Sequence, residues 1–207
     1  PINFLCLTFV FTAKCEILSG TMSKVKLNLI AAACENMGIG INGDLPWRLK
    51  DEMAYFTRMT TNVQDKNKVN AVIMGRRTWD SIPPKYSPLQ DRLNIVLTRK
   101  VEAVREKVPE GVIVLSGIDE AIEYIEEHKN IESAWVIGGS SIYKLGMDHA
   151  NCDKIYLTEI QKTYECDTFF PDIDKEKFKL ITEDNVPTER QTENGIDYFF
   201  RIYKKVC

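Results

Sequence analysis

Glu52 is the residue of this 207-residue chain best placed for proton chemistry. Leu49, Met53, Phe56 and Thr60 recur at helical spacing, and Glu52 stands beside that stripe, three after Leu49 and four before Phe56. A carboxyl bordering or lying in an apolar face resists ionisation and has a raised pKa. Such a group can grip an amidine-like or guanidine-like heterocycle and take part in proton transfer. The other reading is an exposed first-turn acid that favours the positive end of the helix dipole. Spacing alone leaves both open.

Three apolar runs each lead into a segment suited to phosphate chemistry. Gly75-Arg76-Arg77-Thr78 comes after Ala71–Met74, Thr98-Arg99-Lys100 after Leu93–Leu97, and Gly138-Gly139-Ser140-Ser141 after Ala134–Ile137. In open α/β sheets, ligands bind outside the carboxyl ends of the strands. A Gly-Gly loop opening a helix lets backbone N–H groups approach a pyrophosphate, and the basic clusters suit a further phosphate such as the 2′-phosphate of NADP. Singly, Gly-Gly-Ser-Ser also reads as a turn with a Ser N-cap, and a basic pair after a strand as a solvated edge. None of these three segments carries the GxGxxG of the Rossmann form, and no GxxxxGK[ST] occurs, which excludes the P-loop form.

Glu35 to Trp47 forms a long loop with an Asn42-Gly43 turn and apolar teeth at Met37, Ile39, Leu45 and Trp47. It reads either as a lid or as a surface loop pinned by Leu45 and Trp47. His128 and His149 have no second ligand or base at useful spacing and read as surface residues. Ser140 and Ser141 lack a nucleophile elbow.

The elements that must hold these residues are short β-branched runs alternating with helices. The strands expected are Lys26–Ala33, Ala71–Met74, Leu93–Thr98, Val112–Leu115, Ala134–Ile137, Lys154–Ile160, Phe178–Glu183 and Ile196–Lys204. The helices expected are Lys50–Met59, Arg76–Ser81, Ile118–Glu127 and Ser140–Leu145. Ala71–Met74 and Trp135–Ile137 are apolar on both faces, as parallel strands covered by helices are. Ile196–Lys204 comes after Asn194-Gly195 and reads as a hairpin partner of Phe178–Glu183. The result is a single α/β domain with a mixed, largely parallel sheet.

Composition agrees. With 44% apolar and 28% charged residues, the chain can bury a core without disulfide or metal staples. A net charge of -3 gives no general pull toward nucleic acid or acidic membranes. The six cysteines form no CxxC pair, and with only two histidines zinc and haem sites lose their ligands, so no metal is expected. Each Cys reads as a small apolar residue in a reducing compartment. The apolar run Ile2–Phe11 is too short for a bilayer, which needs about 20 residues. Residues 1–21 read as an extension outside the fold, with Met22 as a natural start of the domain, 22–207.

Taken together, Ala31-Ala32-Ala33, Asn36-Met37-Gly38-Ile39-Gly40, Gly43-Asp44-Leu45-Pro46-Trp47, Val72 to Trp79, Ser81-Ile82-Pro83 and Gly138 to Tyr143 resemble dihydrofolate reductase. Asp167-Thr168-Phe169-Phe170-Pro171 adds a further family-like element, and the likeness runs colinearly from about Lys26 to Tyr203. No thymidylate synthase-like segment comes after it, as in the single-function form. The resemblance implies an eight-stranded, mixed and mostly parallel twisted sheet flanked by about four helices. It also implies NADPH as hydride donor, 7,8-dihydrofolate as acceptor, and a role in one-carbon metabolism as an antifolate target. A cytoplasmic monomer without nucleic-acid or membrane partners is implied by the same likeness.

Carried over residue by residue, Glu52 grips the pterin's amino and ring N–H groups and Thr158 supports that end of the pocket. Ile30, Ala32, Met53, Phe56, Ile82 and Ile137 line it, and Arg92 clamps a glutamate-tail carboxylate. Leu45 and Trp47 belong to the lid and, with Tyr143, surround the reacting atoms. Arg76, Arg77, Thr78, Thr98 and Arg99 hold the adenosine 2′-phosphate and its neighbour. Ala32, Ile39, Gly40, Gly75, Gly138, Gly139, Ser140, Ser141, Ile142 and Tyr143 border the rest of the cofactor, with a cis peptide between Gly138 and Gly139. The chain departs from vertebrate members in two places: Trp47 to Glu52 is one residue shorter, and Met53 stands where Phe is usual. The rivals are a nucleotide-binding module with a dead pocket and a reductase for another pterin or pyrimidine; Arg92 argues against the second, since it has no purpose without a glutamyl tail.

Overall fold

The computed structural model describes residues 25–206, so the expected extension and Met22 lie outside the described residues. Along the chain come β1 (Leu27–Ala33), β2 (Gly38–Gly40), α1 (Lys50–Thr61), β3 (Val69–Gly75), α2 (Arg76–Ser81), β4 (Arg92–Leu97) and α3 (Val101–Arg105). Next are β5 (Ile113–Leu115), α4 (Ile118–Glu127), β6 (Ile131–Gly138), α5 (Ser140–Asp148), β7 (Cys152–Ile160) and β8 (Thr168–Phe169). The last three strands are β9 (Phe178–Ile181), β10 (Gln191–Glu193) and β11 (Ile196–Lys205).

Eight strands run in the continuous order β10-β11-β7-β1-β6-β3-β4-β5, and β9 pairs with β11 as a ninth. From β7 across to β5 every pairing is parallel, while β11 is antiparallel to its neighbours. The carboxyl ends of the parallel strands therefore share one edge with the segments that they lead into. Ala71 to Met74 are wholly buried, as their two-faced apolar pattern requires. One apolar cluster packs α4 and α5 on one face of the sheet; the other packs α1 on the opposite face through Tyr55 and Met59, with Leu49 just before the helix joining it.

Asn194-Gly195 does make a hairpin turn, with both residues at positive φ, but it joins β11 to β10. The Phe178 segment pairs farther along the same edge, Ile181 with Ile202 and Phe178 with Lys205. The strand β10 went unseen because Gln-Thr-Glu has no apolar alternation. The same holds for the short pieces β2, β8 and α3, each too brief for a period.

The buried stripe of α1 also differs from the expectation. Glu52, Tyr55, Met59 and Thr60 face the sheet, whereas Met53 is 46% exposed. Leu49 precedes the helix in extended conformation, so its side chain does not set the helical phase. The histidines are half-buried, and each caps a helix end. His149 Nδ1 accepts from the Asn151 amide, leaving Nε2–H to donate to Asp119 at 3.0 Å.

Candidate active site

Glu52 lies in the first turn of α1, 5% exposed, its side chain turned to the sheet. The Thr158 hydroxyl on β7 donates to its Oε1 at 3.1 Å. Thr158 is itself wholly buried and sits in register between Ala32 of β1 and Phe200 of β11. Burial pushes the Glu52 carboxyl up from 4.5 to about 7; the Thr158 hydrogen bond pulls the other way, and the negative Glu193 adds to the rise. The outcome is a matter of size. The rise that remains with the Thr158 bond in place corresponds to roughly 3 kcal/mol, so burial outweighs a hydrogen bond to a charged group, itself about 1.5–3 kcal/mol. The exposed first-turn reading is thereby overturned.

Glu193 was missed by sequence reasoning. From β10 its carboxylate accepts the Lys50 amide at 2.6 Å and the Asp51 amide at 2.9 Å, satisfying orphan donors of α1 that Leu49 cannot cap. Asn194 Nδ2 donates to the Arg48 carbonyl at 3.1 Å. The hairpin thus fixes the start of the helix that carries Glu52. No spacing rule relates residue 193 to residue 50.

Beside α1, Arg92 opens β4, half-buried, with Nε donating to the Gln90 carbonyl at 2.9 Å and Nη1 to Thr60 Oγ1 at 2.8 Å. Thr60 is wholly buried and donates back along α1. The buried Asn94 fixes the turn before it through both Leu89 backbone groups. Thr60 and Asn94 are the other supports that sequence reasoning missed; a polar residue inside an apolar element was the available signal. Arg92 is thereby preorganised, with Phe56 and Ile82 partly buried in the same apolar cluster as Leu89.

The loop after β1 is pinned and projecting at once. Gly38 and Gly40 pair with Phe169 and Thr168 of β8, and Trp47 is 3% exposed. Between them Asn42 and Gly43 make a turn at positive φ, closed by reciprocal Ile41–Asp44 hydrogen bonds. Asn42 N donates to Asp167 Oδ2 at 2.8 Å. Leu45 is half-buried, while Asn42 to Asp44 are exposed. The buried Trp47 Nε1 lacks a protein partner, a donor available to a ligand or water.

The phosphate-suited residues gather where β3 and β6 end side by side, Met74 in register with Gly138. Gly138 sits at φ 127, and the Gly138–Gly139 peptide is cis. A Cβ on either glycine would come within 3.3 Å of Thr78 Oγ1, and one on Gly75 within 3.0 Å of Ile142. Gly139 caps α5, with Ser140 as its first residue, so the expected Ser N-cap is not formed. Arg76, Arg77 and Arg99 are exposed, and Arg76 Nε pairs with Asp80 at 2.9 Å. The glycine cradle and exposed cations fit a phosphate-bearing dinucleotide. Tyr143 is buried in α5, its hydroxyl donating to the Ile30 carbonyl at 2.7 Å. Ile39 and Ile137 are partly buried, and Ser141 is exposed. A groove of about 670 Å³ lined by Arg58, Glu183, Asp184 and Val186 holds none of these residues.

The dihydrofolate reductase family model matches residues 26–205. The chain belongs to the dihydrofolate reductase family. A dihydrofolate reductase of Heliothis virescens is 68% identical over 185 residues, covering 89% of this chain and all of that protein. The Sus scrofa reductase is 46% identical over 185 residues, 86% of this chain and 97% of its own. The solved Schistosoma mansoni reductase superposes with a TM-score of 0.76 at 35% identity, covering 88% of this chain and 99% of that one.

Proposed function

We propose that this reductase reduces 7,8-dihydrofolate to 5,6,7,8-tetrahydrofolate with NADPH, using Glu52 as the group that orients the pterin and biases its protonation. The observation that carries this reading is the burial of Glu52 under Thr158. Glu52 is the buried acid among the described residues, and it holds a proton at neutral pH far more readily than a solvated carboxyl.

Glu52 takes the pterin's amino and ring N–H groups, with Thr158 fixing the carboxyl's orientation. Ile30, Ala32, Phe56, Ile82 and Ile137 give the ring an apolar slot, and the exposed Met53 reaches it from the solvent side. Arg92, anchored through Nε and Nη1, meets the tail carboxylate. Gly75, Thr78, Gly138, Gly139 and the start of α5 hold the pyrophosphate and nicotinamide end, with Ile39, Gly40 and Tyr143 alongside. Arg77, Thr98 and Arg99 take the 2′-phosphate, and Arg76 joins them by leaving Asp80, an exposed pair of about 0–1 kcal/mol at most. When bound, the cofactor supplies the hydride. Leu45 and Trp47 exclude water, and solvent delivers the proton to N5 while Glu52 tunes the ring's readiness to accept it.

A monomer acting on a small molecule in the cytoplasm suits this reading. Cys34, Cys152 and Cys166 are free thiols, and among the described residues no helix is long and apolar enough to cross a membrane. The test is an absorbance assay of the purified chain. NADPH should be consumed only when dihydrofolate is present; consumption without it, or none with it, contradicts the proposal.

A further inference from the structure

Cys34 and Cys166 lie 132 positions apart in sequence, yet their Sγ atoms are 3.9 Å from each other. Cys34 directly succeeds β1 and is 2% exposed; Cys166 precedes β8 and is half-buried. The Cys34 thiol donates to Asn36 Oδ1 at 2.8 Å. The Cys166 side chain lies across Gly38, where a Cβ would stand 2.4 Å from its sulfur. The thiols therefore flank the foot of the 35–47 loop. The same seam carries the hydrogen bonds from Asp167 N to Gly40 O at 3.0 Å and from Phe170 N to Met37 O at 2.8 Å. A disulfide needs sulfurs about 2.05 Å apart, so the two sulfurs at 3.9 Å must still approach each other for the bond to form.

We propose that Cys34 and Cys166 form a redox-modification site, which takes a low-molecular-weight disulfide such as oxidised glutathione and closes into an intramolecular disulfide across the foot of the loop. The more accessible Cys166 loses its proton to solvent, and its sulfur attacks one sulfur of oxidised glutathione. The glutathione S–S bond breaks, a mixed disulfide forms on Cys166, and one glutathione thiolate leaves. Cys34, deprotonated in turn, attacks the Cys166 sulfur and expels the second glutathione thiolate. The protein gives up two hydrogens and two electrons, and one oxidised glutathione becomes two reduced ones. Burial and the adjacent Cys34 sulfur raise the Cys166 thiol, so the exchange is slow near neutral pH and calls for oxidant in excess. Buried Cys152, raised to about 11, serves as an internal control.

Once formed, the bond fastens the loop to the segment before β8. The functional half of the inference rests on the lid reading above: if the loop must open for product to leave, the cross-link slows turnover. The experiment uses the full chain, reduced, then exposed to excess oxidised glutathione, alkylated and digested for mass spectrometry. The expected products are a linked pair of peptides carrying Cys34 and Cys166 and the loss of those two free thiols, both reversed by dithiothreitol. Cys34→Ser should stop at glutathione on Cys166, and Cys166→Ser should give neither the link nor an adduct on Cys34. Glutathione retained on Cys166 in the wild type, or both thiols still free after excess oxidant, overturns the site. Turnover of the oxidised wild type should fall severalfold and return on reduction, while Cys166→Ser treated alike keeps its rate. A quantitative cross-link with unchanged turnover overturns the lid half and leaves the site standing.

Discussion

Glu52 is 5% exposed, with Thr158 as its hydrogen-bond donor, whereas Arg77 and Arg99, beyond the ends of β3 and β4, stand in solvent. The proton end of the site relies on one group whose properties come from the removal of water. The phosphate end relies on several cations that keep their water until a ligand arrives. One substitution should therefore disable the first, while the second should fail by degrees. A buried acid also opposes folding whenever it is charged, which exposed arginines do not.

The largest expected effect is on catalysis. Glu52→Gln preserves volume and removes the titrating group; general acid–base assistance is typically worth about 10²–10⁴-fold, and turnover near neutral pH should fall by that order. The defect should shrink as the pH is lowered, because solvent then protonates the pterin unaided. Steady-state kinetics matching the wild type across the acid to neutral range would place the acid elsewhere.

Stability should move in the opposite direction. The folded carboxyl sits at about 7 against 4.5 when solvated, so its contribution to stability is fully present below 4.5 and is lost as pH rises through 7. Glu52→Gln should consequently be more stable than the wild type at alkaline pH by up to roughly 3 kcal/mol, with the gap closing in acid. Denaturant titrations at the two extremes check this. A variant less stable at alkaline pH would mean that the charged carboxyl has partners beyond Thr158.

Cofactor choice comes next in size. A charge-assisted hydrogen bond contributes about 1.5–3 kcal/mol, so the wild type should favour NADPH over NADH by at least roughly tenfold in kcat/KM. Arg77→Gln and Arg99→Gln should each erode that preference with little change in kcat. Equal use of both cofactors by the wild type would remove the 2′-phosphate role from these residues. The smallest expected effect belongs to residues 1–21: their removal should leave turnover and Tm essentially unchanged, and a large fall in either would tie them to the fold.

These expectations rest on features that the sequence displayed unequally. The strands beneath the site were legible because Ala71 to Met74 and Ala134 to Val136 are apolar without interruption. Gly138-Gly139 was legible because a close approach leaves a compositional trace. Glu52 could be located but not weighed, since neighbours of a helical acid do not reveal which way the helix turns; the exposed Met53 shows that the face was misjudged by one position. Glu193 was invisible as a support, because it acts across contacts that only the fold creates.

Burial, outweighing the Thr158 hydrogen bond, sets the state of Glu52. A carbon-13 NMR titration of glutamate carboxyls in the ligand-free protein, with Glu52→Gln to assign the resonance, tests it without the complications of turnover. The Glu52 carboxyl should titrate with a midpoint of about 7. A midpoint near 4.5, the value of a solvated glutamate, would contradict it.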